Sequence, residues 1–143
     1  MSRVYFTDRN LGKQFPSILA QADIEVERHG ELFRPEGSDE QWLEHCGVKD
    51  RIAITHDLRI RYVPNELEAV KRFRVRLLVL IGHAPTAELA SNFVKSRGKI
   101  EGVLEGREGP LILKVYRPSP SELARSSDMP GRVEVSYPRI HGA

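Results

Sequence analysis

Leu77-Leu78-Val79-Leu80-Ile81-Gly82 is five apolar residues in succession closed by a glycine. A strand with one face in water alternates apolar and polar residues. A run without alternation needs cover on both faces, as in a parallel sheet sandwiched between helices. The flanking sequence supplies the helices. Upstream, Pro64-Asn65-Glu66-Leu67-Glu68 opens one, with Leu67, Val70 and Phe73 as its apolar stripe. Downstream, Thr86 is placed to cap another, whose face is Leu89, Ala90, Phe93 and Val94. Lys95 and Arg97 fall in its last turn and Gly98 is the expected stop, with a short glycine-weakened helix over 99–106.

The pattern repeats toward both ends. Val4-Tyr5-Phe6 and Ile52-Ala53-Ile54-Thr55 are short β-prone runs ending at Thr7-Asp8 and at His56-Asp57. Between them lie a helical spacing over 11–22, started or kinked by Pro16, a half-exposed strand at Ile24–Glu27, and a loop over 30–37. Ser38-Asp39-Glu40-Gln41 has the form of a capping box, with Asp39 and Glu40 in the first turn, where the helix dipole favours acids. Trp42, Leu43 and Cys46 supply the apolar side of that helix and Gly47 its expected end. Leu111–Tyr116 is a further strand. The order predicts a three-layer α/β/α domain with a mostly parallel sheet of about five strands over residues 1–117. Residues 118–143 carry four prolines among many Ser and Arg, and read as a loose or partner-docking tail with a small strand at Val133–Val135.

At 143 residues the chain is long enough for one sizeable core. No apolar stretch approaches the roughly 18–20 residues of a bilayer span, and the N-terminus has no secretion signature. The lone Cys46 excludes a disulfide framework or a cysteine-built zinc site within one chain. A cytoplasmic protein with no membrane partner is expected. Net charge is +2 but unevenly spread. Residues 1–50 hold six basic and ten acidic side chains, and residues 51–76 hold seven and three. That fits a carboxylate site beside a surface for a polyanion, or ordinary charge mixing.

In parallel sheets ligands bind beyond the carboxyl ends of the strands. Asp8 and Asp57 follow two strands, and Asp39 begins a helix whose start lies on the same rim. Converging carboxylates repel one another unless a cation neutralises them, and hard oxygen ligands suit Mg²⁺ or Mn²⁺. The bland alternative is that all three merely cap loops and a helix.

Phe6-Thr7-Asp8-Arg9-Asn10-Leu11, Ser38-Asp39-Glu40-Gln41-Trp42-Leu43 and Ile52-Ala53-Ile54-Thr55-His56-Asp57 together resemble the PIN-like nucleases, and within them the branch of VapC-type toxin ribonucleases. The resemblance covers about residues 3–81. It implies metal-dependent RNA cleavage by an activated water, with Asp8, Asp39 and Asp57 as ligands. Asn10 would orient the first acid and Thr55 would orient Asp57. The implied partners are an antitoxin that blocks the site and a second copy in a homodimer. Two acids usual in that branch are replaced by Arg9 and Arg59. Either these grip phosphate, or the site is degenerate and the protein is a binding module of PIN-like or receiver-like type. Glu40, or less favourably Glu44, would be the substitute acid. Arg9, Arg59, Arg61, Lys71 and Arg72 are the candidate RNA contacts, followed by Arg74 and Arg76. His56, beside Asp57, is read as a partly exposed neighbour of the site.

Overall fold

The computed structural model describes residues 3–56 and 64–138. In chain order the elements are β1 (Tyr5–Thr7), a 3-10 turn (Arg9–Leu11), α1 (Gln14–Gln21), β2 (Val26–Arg28), α2 (His29–Leu32) and α3 (Asp39–Lys49). Then follow β3 (Ile52–Thr55), α4 (Pro64–Arg72), β4 (Arg76–Leu80), α5 (Thr86–Leu104), β5 (Leu111–Val115), α6 (Pro120–Arg125) and β6 (Val133–Tyr137). The sheet runs β2-β1-β3-β4-β5-β6. The first five strands are parallel, and β6 closes the far edge antiparallel to β5.

Strand alternation divides the core in two. Tyr5, Ile52, Ile54, Leu78, Leu80, Leu111, Leu113 and Val115 face α1 and α5, where Phe15, Leu19, Phe93, Ile100 and Leu104 meet them. Phe6, Ala53, Leu77, Val79 and Ile112 face α3 and α4, meeting Trp42, Leu43, Cys46, Ala69 and Val70. Leu77 to Leu80 are all buried, as a doubly covered strand requires.

Several local expectations are corrected by packing. Gly98 does not stop its helix. α5 runs unbroken through Gly98 and Gly102 to Leu104. Each helical glycine costs about 1 kcal/mol, whereas burying Ile100 and Leu104 contributes roughly 1.5–3 kcal/mol apiece. Gly47 likewise lies inside α3, which continues to Lys49 and is closed by Asp50 at φ 56°. Its glycine serves a close crossing: a Cβ there would stand 2.2 Å from the carbonyl oxygen of Phe73, at the end of α4. The capping box expected at Ser38 and Gln41 does not form, because the Ser38 side chain makes no cap hydrogen bond. A reciprocal box forms instead at Ser119 and Glu122. Pro85, not Thr86, holds the cap position of α5.

Residues 118–138, read from sequence as a loose or partner-docking tail with a small strand at Val133–Val135, hold α6 and that strand, which extends to Tyr137 as β6. The segment is fastened to α5: Lys95 donates to the Ser127 carbonyl at 2.8 Å, Lys99 to that of Gly131 at 3.2 Å, and Ser96 Oγ accepts from the Gly131 amide at 3.0 Å.

Candidate active site

Because β1 to β5 are parallel, they all end on one rim, and the helices leading into β3 and β4 begin there. Asp8 stands at the end of β1 on this rim and is 5% exposed. A carboxylate so buried needs compensating donors, and both of its oxygens have one. The Arg9 amide donates to Oδ1 at 2.7 Å, since Asp8 caps the following 3-10 turn. Thr55 Oγ1, from the last residue of β3, donates to Oδ2 at 2.8 Å. The register explains the second bond. β1 and β3 are neighbours, with Thr7 beside Ile54, and the Asp8 amide donates to the Ile54 carbonyl at 3.0 Å.

Asn10 bonds this threonine: its Nδ2 donates to Thr55 Oγ1 at 3.3 Å, and its Oδ1 accepts from the His56 amide at 3.4 Å. Thr55, read from sequence as the orienter of Asp57, is thus bonded to Asp8. Its β-position beside Asp8 depends on strand order, which no motif encodes. His56 Nε2 lies 2.7 Å from the Gly82 carbonyl oxygen, an acceptor that assigns the proton to Nε2. The chain therefore leaves β3 immediately beside Asp8. Asp57, Arg59 and Arg61 lie outside the described residues.

Asp39 occupies the first turn of α3. With Ser38 not capping, its Oδ1 accepts from Trp42 Nε1 at 2.9 Å. Trp42 stacks on Phe6 of β1 with ring centroids 5.5 Å apart, which ties the start of α3 to the strand carrying Asp8. His29, buried at the start of α2, completes this wall against Phe6 and Phe33. Burial, and secondarily the Arg9 charge, lowers its pKa from 6.5, while Asp39 acts in the opposite sense. Both Arg9 and Asp39 thus act electrostatically on one buried imidazole.

The remaining candidates are dispersed. Glu40 is ion-paired with Arg72 across α3 and α4, so the substitute acid and one RNA contact satisfy each other. Arg72 also lies over the Phe73 ring, and Lys71 over that of Tyr137. Arg74 and Arg76 sit where β4 begins, at the edge opposite the rim. Cys46 is buried, and burial raises its thiol pKa far above the ordinary range.

One carboxylate escaped the sequence reading. Glu66, in the first turn of α4, has a buried Oε2 with no hydrogen-bond partner among the described residues. Its signal was helical spacing: it shares a face with the buried Ala69 and Val70, three and four residues on. Among the described residues no three His, Cys, Asp or Glu side chains are grouped closely enough to hold a metal.

Residues 3–82 match the model of the PIN-like domain, and that span is more than half of the chain. The chain therefore belongs to the PIN-like domain family, whose fold is of the nuclease type. No curated protein and no solved structure matches it.

Proposed function

We propose that this protein is a Mg²⁺- or Mn²⁺-dependent endoribonuclease, with Asp8, Asp39 and Asp57 as the acids that hold the ion. The observation that carries the reading is Asp8. It is a buried carboxylate at the carboxyl end of a central parallel strand, oriented through both oxygens, with the exit of β3 beside it. Fixing a carboxylate this way costs desolvation and adds little to the fold that an apolar residue would not. A ligand explains the expense. Carboxylate oxygens are the donors a hard divalent cation takes.

A bound ion would lower the pKa of a water and offset charge on a phosphodiester oxygen. The chain's own residues do the rest. The Arg9 amide and Thr55 hydroxyl keep Asp8 aimed, and Asn10 fixes the rotor of Thr55. Arg9, exposed at the same rim, is free to reach a phosphate with a bidentate guanidinium. Within this reading the protein is a cytoplasmic toxin of the VapC type, working as a homodimer and silenced by an antitoxin that covers the rim. The resemblance in the three motifs supports that part.

The test is cleavage of labelled RNA with Mn²⁺, alongside calorimetric titration of the metal-free protein with Mn²⁺. Wild type should cut and bind, while Asp8→Asn and Asp57→Asn should lose both. Intact RNA together with no Mn²⁺ binding by wild type removes the proposal in favour of a binding module.

A further inference from the structure

The edge opposite the rim gathers cations that no motif announces. Two adjoining hollows of about 430 and 440 Å³ open there, sharing Asp50 and Arg76. Arg3, Lys49, Arg51, Arg74, Arg76 and Arg107 line them, against Asp50, Glu105 and Glu108. The cations come from four separate stretches: the lead into β1, the turn from α3 into β3, the start of β4, and the turn before β5. Glu27 holds Arg51 from behind at 3.2 Å. The C-termini of α3, α4 and α5 also open here and absorb part of the surplus, at roughly half a charge each.

At this edge Arg3, Arg51 and Arg76 are held largely out of solvent, whereas Lys49, Arg74 and Arg107 and the facing acids are exposed. In the Arg76–Asp50 pair at 3.4 Å the arginine side chain is 17% exposed and the aspartate 86%. In the Arg3–Glu105 pair at 2.9 Å the values are 27% and 79%. Surface pairs of this kind are worth little, so an exposed carboxylate is given up at small cost. Lys49 and Arg107 have no ion pair among the described residues. A phosphate can displace the exposed acids from Arg3 and Arg76 and meet the exposed Lys49, Arg74 and Arg107 directly, and arginine meets phosphate through two parallel hydrogen bonds.

We propose that this edge is a second nucleic-acid contact, which holds the phosphate backbone of RNA away from the carboxylate rim. The five residues of β4 separate the two ends of the sheet by roughly 15 Å. The segment held here is therefore a flank of the molecule and not the bond cut. The choice of RNA rests on the proposed ribonuclease activity, but binding at this edge needs no metal and no cleavage.

The experiment is fluorescence anisotropy with a short labelled single-stranded RNA in EDTA, over a salt series. The variants are a Lys49→Gln, Arg74→Gln, Arg107→Gln triple and a charge-matched control triple, Arg34→Gln, Arg125→Gln, Arg132→Gln. Circular dichroism checks that each is folded. The edge triple should lose about tenfold in affinity, and its log–log salt slope should fall by about 2, at about 0.7 per phosphate contact. The control should stay within twofold of wild type. Equal losses in both triples, or no RNA binding by wild type, overturn the proposal. Competition by polyglutamate as effective as that by unlabelled RNA also overturns it, and reassigns the edge to an acidic protein. RNA held at this edge by a protein that neither cuts RNA nor binds Mn²⁺ leaves this inference standing and removes the ribonuclease one.

Discussion

Thr55 Oγ1 donates to Asp8 Oδ2 at 2.8 Å, joining the last residue of β3 to the acid that ends β1. The two residues are 47 apart in sequence and meet because β1 and β3 are neighbours in the sheet. This bond fixes the direction in which Asp8 presents its carboxylate. Thr55→Val preserves shape and removes the donor. It should destabilise the fold by about 1–3 kcal/mol and, with Asp8 as the proposed ligand, weaken Mn²⁺ binding about 10- to 100-fold, the usual effect of losing an outer partner of a ligand. Thr55→Ser should restore most of both. Calorimetric titration and denaturant unfolding read the two effects separately.

Gly47 allows α3 to cross α4 at the Phe73 carbonyl. A methyl group there meets backbone, not a side chain that can turn away. Gly47→Ala should therefore destabilise by about 2–3 kcal/mol, the overpacking range, although alanine is the better helix former. Urea unfolding should show a lower midpoint with an unchanged slope. A midpoint at or above that of wild type would remove the close-approach explanation.

Gly98 and Gly102 are opposite cases. Both lie within α5, and a Cβ at either meets nothing within 4 Å. Alanine at each should stabilise by about 0.5–1 kcal/mol through helix propensity and a less flexible unfolded chain. Together they should raise the melting temperature by about 3–6 °C, measured by calorimetry.

His29 makes stability depend on pH. Burial, with help from Arg9, lowers its folded pKa below 6.5. Below about pH 6.5 the unfolded chain takes up a proton that the folded chain resists. The His29 contribution is therefore complete above about pH 6.5 and is lost as pH falls through and below it. Unfolding free energies at pH 7.5 and pH 5.5 should differ more in wild type than in His29→Phe, whose ring suits the contacts with Phe6 and Phe33. An identical pH dependence in the two proteins would show that His29 is not the group responsible.

Much of the architecture is local information. The apolar run at Leu77–Ile81 implies a doubly covered strand without reference to any other residue, because only that environment accepts apolar side chains on both faces. Alternation of such runs with helical stripes implies parallel strands and crossovers, and hence one rim for Asp8 and Asp39. The PIN-like resemblance in the same motifs agrees with the family match over residues 3–82.

Tertiary structure decided the rest, because it depends on pairs distant along the chain. Strand order set Thr55 against Asp8. Helix packing carried α5 through two glycines and made Gly47 a crossing point instead of a terminus. Contacts between α3 and α4 gave Glu40 to Arg72. The arginines that begin β3 and β4, contiguous with the rim in sequence, were turned to the far edge because a strand separates its two ends by its full length. Composition counts those charges, but only the direction of each strand determines which end of the molecule they occupy.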